Sequence, residues 1–157
     1  MKNDTEALDG FDLAILRILQ KDNTLPHRLI GEQVNLSPPS VQRRIKRLVA
    51  AGIITNQSAI VDPARLGRPL TIIVEVELKA ETGGAIDLVK QSFADAPEVQ
   101  QCYYVTGETD FILIIVVRDM SKYEALTQRL FFSNDTIRKF KTFVTMDRTK
   151  VSLSVDI

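Results

Sequence analysis

The sequence predicts an α+β chain. A three-helix, helix-turn-helix domain, winged if the segment after its third helix forms a hairpin, precedes a ferredoxin-like βαββαβ domain. Three observations predict it. Apolar residues recur at helical spacing through the first third of the chain. Two prolines and a glycine then interrupt that pattern within Asp62–Pro69. Beyond the break the apolar period becomes two, in two successive passes of strand and helix. The organisation reads as residues 1–61 for the helix-turn-helix domain, 62–69 for a linker and 70–157 for the ferredoxin-like domain.

In Phe11–Gln20 the apolar residues Phe11, Ile15, Ile18 and Leu19 share one side of a helix. Asp9 suits its N-cap, Asp12 places negative charge in the first turn where the helix dipole favours it, and Lys21-Asp22-Asn23 closes it. A short second helix fits Pro26–Val34, with Pro26 in its first turn and Leu29, Ile30 and Val34 as the apolar stripe. Asn35-Leu36-Ser37 makes a tight turn. The third helix, Ser37–Ala51, has Ser37 as its cap and Pro38 at the first helical position, where a missing N–H costs nothing. Its inner face is Val41, Ile45, Leu48 and Val49. Its outer face is Ser40, Arg43, Arg44 and Arg47, at i, i+3, i+4 and i+7. Gly52 suits the left-handed cap, and Ile53–Val61 is expected as a short strand or wing-like hairpin.

In Leu70–Lys79, Ile72, Val74, Val76 and Leu78 alternate with Ile73, Glu75 and Glu77, as in a half-buried strand. Gly83-Gly84 precede a helix bearing Ile86, Val89 and Phe93, which Pro97 ends before a strand over Val99–Thr106. Phe111–Val117 is a third strand. Ser121 is expected to cap a helix bearing Tyr123, Leu126 and Leu130, and a last strand runs from Ile137 through Phe140–Met146. Helices on one face of a sheet leave the other face polar in a monomer. Phe111–Val117 is apolar on both faces and central in this strand order, so a second subunit's sheet is the expected cover.

With 45% hydrophobic and 25% charged residues, the composition is that of an ordinary soluble globular protein. The longest apolar run, Phe111–Val117, falls far short of the roughly 18 residues of a membrane-spanning helix, so no membrane partner is expected. The start, MKNDTEALDG, lacks the basic-then-apolar export pattern, and the lone Cys102 cannot form an internal disulfide. Both point to a reducing cytoplasm. One cysteine and one histidine, His27, cannot supply a zinc site of the usual kind. Cys102 reads as a strand residue and His27 as a surface residue, with no metal or cofactor expected. No phosphate-binding glycine loop or cysteine–histidine pairing is present, so no catalytic residue is assigned and an enzyme on the ferredoxin-like unit finds no support.

The net charge is zero, but its distribution is uneven. Residues 1–68 carry ten basic and seven acidic side chains, a net of +3, and residues 69–157 carry the compensating −3. Leu36–Ala51 holds Arg43, Arg44, Lys46 and Arg47 and no acid. A concentrated basic helix braced by a shorter one suits the major groove of double-stranded DNA. Ser40, Gln42, Arg43 and Arg44 are assigned to base or phosphate contacts and Arg47, a turn later, to phosphate. The same residues also fit an amphipathic helix with a solvated basic face.

The run LSPPSVQRRIKRLVAAGIITNQSAIVDPARLG resembles the helix-turn-helix and following connection of the Lrp/AsnC (leucine-responsive, feast/famine) family of transcriptional regulators. Leu8-Asp9-Gly10-Phe11-Asp12 resembles that family's LDxxDxxIL start, and Val105–Phe111 resembles the GxxD hairpin of its ligand-binding domain. The resemblance implies that Ser37–Leu48 is the recognition helix, adding Ser37, Pro39 and Val41 to the DNA-contacting set. It implies that residues from about Leu70 bind an effector and form dimers through face-to-face sheets, which assemble further into tetramers or octamers. It also implies an amino-acid effector between dimers, bordered by Tyr104, Thr106, Gly107, Glu108, Thr109 and Asp110. Gly107 permits close backbone approach, Asp110 or Glu108 offers a partner for an α-ammonium group, and exposed N–H groups offer one for a carboxylate. Gly-Glu-Thr-Asp is equally ordinary turn composition.

Three positions depart from the family pattern. Thr109 stands where Tyr or Phe is common, Pro26 replaces a polar cap for which Thr24 is the substitute, and Asn56-Gln57-Ser58 replaces a Gly-Tyr pair. The expected function is an amino-acid-responsive, DNA-binding transcriptional regulator. The competing readings are a sensor or oligomerisation protein without DNA binding, and an enzyme.

Overall fold

The computed structural model of the chain describes residues 7–79 and 83–157. Three helices come first, α1 (Gly10–Leu19), α2 (His27–Val34) and α3 (Pro38–Ala50). Ile15, Ile30, Val34, Val41 and Ile45 are buried among them, with Leu25, Leu36 and Ile54 packed around. Removing each such side chain from water contributes about 1.5–3 kcal/mol, the main force holding so small a bundle together. A capping box starts α1. The Asp12 N–H donates to Asp9 Oδ1 at 2.8 Å and the Asp9 N–H to Asp12 Oδ2 at 3.1 Å.

At α2 the N-cap is Pro26, without a side-chain cap; Thr24, the expected substitute, bonds to Asp22 instead. Asn35 ends α2 in the left-handed conformation (φ 56°) and turns the chain so that Leu36 runs back under Gly31. A Cβ at Gly31 would lie 2.3 Å from the Leu36 carbonyl oxygen, so only glycine admits this turn. Ser37 is the N-cap of α3, but its hydroxyl donates to that of Ser40 rather than accepting from the helix backbone.

Two expectations for this segment are corrected. Val49 is 45% exposed, because at eight residues from Val41 it has rotated about 80° past the packed stripe. Ile53–Val61 forms neither strand nor wing: the Ile53 and Ile54 N–H groups turn back to the Leu48 carbonyl, and residues 55–61 pair with no strand among the described residues.

The chain divides into two compact units, one running to Ala59 and including Val151–Ile157, the other Ile60–Lys150. The tail, Val151–Ile157, packs with the first unit, where α1 satisfies its backbone. The Val155 N–H donates to Gln20 Oε1 (2.7 Å), Gln20 Nε2 donates to the Val155 carbonyl (3.0 Å), and Arg17 donates to the Ile157 carbonyl.

The second unit contains β1 (Leu70–Leu78), α4 (Gly83–Ala94), β2 (Val99–Tyr104), β3 (Phe111–Val117), α5 (Met120–Thr127) with a π-helical turn over Gln128–Phe132, and β4 (Ile137–Val144). The antiparallel sheet has the order β2-β3-β1-β4, the ferredoxin-like arrangement with β3 and β1 central. Asp119 rather than Ser121 caps α5, because its extended backbone aims the carboxylate at the Lys122 N–H, 2.9 Å away.

On the sheet's helix-covered face Ile72, Val74, Val76, Phe111, Leu113 and Ile115 meet Val89, Phe93, Leu126 and Phe131 in one core. Phe93 meets Phe111 and Phe131 edge-on, with centroids 5.4 and 6.0 Å apart. On the opposite face the register aligns Tyr103, Ile112, Glu75 and Lys141 in one row and Gln101, Ile114, Ile73 and Phe143 in the next.

Gly31→Ala is expected to destabilise the helical unit by about 1–3 kcal/mol, since the colliding atom is backbone and cannot rotate away. Denaturant titration followed by helical circular dichroism measures it, and an unchanged midpoint would contradict the close approach.

Candidate nucleic-acid interface and hairpin site

The basic helix divides its charges between paired, half-buried positions and exposed ones. Asp12, on the first turn of α1, has no exposure to water. Its Oδ1 accepts from Arg44 Nη1 at 2.8 Å, and its Oδ2 accepts from Arg47 Nη2 as well as from the Asp9 N–H. Arg44 also reaches Asp9 Oδ2 at 2.8 Å and lies 5.4 Å from the centre of the Phe11 ring. The bond to Asp12, then that to Asp9, holds the Arg44 guanidinium more firmly protonated than usual. The Asp9 carboxyl is held below the usual range, chiefly by the Asp12 N–H and then by Arg44, against the opposing effect of burial.

The outer face expected at Ser40, Arg43, Arg44 and Arg47 is therefore rotated. Ser40, Arg44 and Arg47 are half-buried, and Val41, expected as a DNA contact, is fully buried in the core. The exposed stripe is Pro39, Gln42, Arg43 and Lys46, again at i, i+3, i+4 and i+7, with Ser37 and Pro38 exposed at its N-terminal end. Among the described residues neither Arg43 nor Lys46 makes an ion pair. Lys46, outside the DNA-contacting set expected from the sequence, lies on this exposed stripe. The signal that finds it is the pair of acids on α1, which identifies the flank of α3 that turns inward.

The hairpin between β2 and β3 is held across the end of β1. The Asp110 N–H donates to the Val76 carbonyl (2.9 Å), the Leu78 N–H donates to Asp110 Oδ2 (2.7 Å), and the Thr109 hydroxyl donates to the Val76 carbonyl (2.8 Å). The Val105 N–H closes the loop onto the Asp110 carbonyl, and Gly107 takes φ 128°, a region L side chains rarely enter. Tyr104 packs at 5.0 Å from Phe111 with Lys90 Nζ over its ring.

Of the six assigned residues, Asp110 and Thr109 thus spend polar atoms on β1, whereas Thr106, Gly107 and Glu108 are exposed. Glu108 and Thr109 line an open cleft of about 460 Å³ with Glu75 and Glu77 of β1 and Arg138–Lys141 of β4. Its carboxylates and cations alternate. Glu77 pairs with Arg138 and with Lys139 (2.7 Å), the Lys139 contact leading the forces that hold its pKa below the ordinary value. Glu108 is in no ion pair among the described residues.

Cys102 lies on β2, where burial pushes its thiol pKa up and makes it a poor nucleophile. Among the described residues no group of acids, histidine and cysteine could hold a metal, and no helix is long and apolar enough to cross a membrane.

The Lrp/AsnC ligand binding domain matches residues 71–155, and a winged helix-turn-helix DNA-binding domain matches residues 8–55. An HTH-type transcriptional regulator of Sinorhizobium fredii is 45% identical over 96% of this chain and 89% of its own length. The transcriptional regulator AzlB of Bacillus subtilis is 34% identical over 96% of each chain. Among solved structures, an AsnC family transcriptional regulator from Agrobacterium tumefaciens gives a TM-score of 0.89 at 28% identity, covering 95% of this chain and 97% of the other. A transcriptional regulator from Neisseria meningitidis, solved as a complex with L-Met, gives 0.89 at 27% identity, covering 96% and 97%.

Asp110→Ala is expected to leave the Leu78 N–H unpaired and speed its hydrogen exchange by about 10–100-fold, while Glu108→Ala leaves that amide unchanged. Equal effects of the two substitutions would contradict the division of roles.

Because the folded-state pKa of Asp9 is depressed, its contribution to stability is complete at neutral pH and is lost as pH falls through the folded value. The melting temperature of Asp9→Asn should therefore lie below wild type at pH 7, and the gap should close below about pH 4. A gap independent of pH would refute the assignment.

Proposed function

This chain belongs to the Lrp/AsnC family of DNA-binding transcriptional regulators, and from that premise we propose that it reads double-stranded DNA with the exposed stripe of α3. The observation that carries the reading is the pairing state of the basic helix. Gln42, Arg43 and Lys46 project from α3 without intramolecular partners among the described residues, next to a proline-started N-terminus that can enter a groove. Arg43 suits bidentate contact with guanine or a phosphate, Gln42 an adenine edge, and Lys46 a phosphate. Ser37 and Pro39 flank the entry point.

The second unit takes a small amino-acid effector at the hairpin. The Neisseria meningitidis neighbour with L-Met supports this, as does the cleft beside Glu108. Glu108 meets the α-ammonium group and the adjoining cations of β4 meet the carboxylate, while Asp110 keeps the hairpin in shape. Dimers form through the uncovered sheet face, where Tyr103 and Phe143 are about half exposed beside Ile73, Ile112 and Ile114.

Arg43→Ala should weaken binding to a DNA duplex enriched from a random pool by about 10–100-fold while leaving the oligomer size in solution unchanged. Unaltered affinity would remove α3 from the interface. In a thermal-shift screen of the twenty amino acids, a native-state ligand at about 100 times its Kd adds about 2.7 kcal/mol. At least one amino acid should therefore raise the melting temperature by several degrees, and Glu108→Gln should abolish the rise. A flat screen counts against the hairpin as an effector site.

A further inference from the structure

We infer that Asp12 is a positioning residue for DNA recognition: by clasping Arg44 and Arg47 it keeps two of α3's four basic side chains off the DNA, leaving Arg43 and Lys46 as the helix's phosphate- and base-contacting charges. The inference rests on α3 being the DNA-facing helix. Four observations lead to it.

Asp12 is wholly shielded from water, and both of its carboxylate oxygens are engaged by guanidinium groups from one and the same helix. The Arg44 side chain is only 20% exposed and is shared with a second acid, Asp9, and with the face of Phe11. Asp12 is itself fixed at the third position of the α1 capping box, so its carboxylate cannot follow the arginines outward. Finally, pulling either arginine to a phosphate would leave a buried carboxylate short of a donor, which outweighs the gain from one solvent-screened phosphate contact.

The consequence is a division of labour within one basic run. The clasp sets the rotation of α3 about its own axis, and that rotation aims Gln42, Arg43 and Lys46 away from α1. It also keeps the helix's sequence-independent attraction to DNA low. Each phosphate neutralised adds about 0.9 to the slope of log K against log salt, so two additional arginines would strengthen binding to every sequence alike. Asp12 thereby protects the ratio of specific to non-specific affinity.

The test measures that slope by fluorescence anisotropy on two labelled duplexes, one of mixed sequence and one enriched from a random pool by the wild-type protein. Salt is varied over about 50–200 mM. Arg43→Gln should lower the slope on the mixed duplex by about one per bound protomer. Arg47→Gln, in a side chain that is 38% exposed and whose loss leaves Asp12 paired with Arg44, should leave it unchanged.

Asp12→Asn, which removes the buried charge that both guanidinium groups share and leaves Arg44 with Asp9, should steepen the slope and reduce the specific to non-specific affinity ratio at least tenfold. Asp12→Glu, which keeps the charge, should restore part of that ratio. If Arg47→Gln lowers the slope as Arg43→Gln does, the clasp does not withhold the arginine and the inference falls. The Arg47→Gln result decides the matter even if circular dichroism finds Asp12→Asn unfolded. If Arg43→Gln leaves the slope untouched, α3 is not the contacting helix, and the reading beneath the inference falls with it.

Discussion

A carboxylate shut away from water stays charged only where the chain surrounds it with donors, and Asp12 sits under that constraint. Two guanidinium groups and a backbone N–H converge on it, from α3 and from the start of α1. Leaving such a charge unpaired costs several kcal/mol, far more than a tilt of one small helix against another. The α1–α3 packing therefore has one arrangement that serves Asp12, and the rest of the helical unit accommodates it. The aliphatic cluster supplies most of the stabilisation, yet methyl groups tolerate sliding. The ion cluster does not.

The same logic recurs in the second unit on a smaller scale. A turn rich in polar residues must be tied down if it is to present a defined surface, and Asp110 does this by accepting the Leu78 N–H where β1 runs past the end of its pairing with β3. Thr109 adds a second tie to the Val76 carbonyl. With two of its polar side chains turned inward, the hairpin presents Glu108 beside the charged strand β4.

The chain passes between the units twice, once after Ala59 and again before Val151. The tail's return gives α1 contacts at both ends, Arg17 and Gln20 holding the tail and Asp9 and Asp12 holding α3.

The sequence by itself determined the architecture. Helical periodicity at Phe11–Gln20 and Ser37–Ala51, period-two alternation at Leu70–Lys79 and the doubly apolar Phe111–Val117 each report a local burial pattern, and local patterns are written in neighbouring residues. Motifs around those segments pointed to the family. What a single helix cannot state is which flank of it another element will claim. Ser40, Arg44 and Arg47 fall on a face as polar as that of Gln42, Arg43 and Lys46. Only the approach of Asp12, 32 residues from Arg44 in the chain, turned one face inward. Likewise Asp110 and Glu108 look equivalent in a turn until β1 presents an N–H to one of them, and nothing local in Val151–Ile157 announces that Gln20 meets its backbone. Local pattern specified the elements. Tertiary structure decided which polar groups were consumed in joining them, because hydrogen bonds and ion pairs are settled between residues that are distant in sequence.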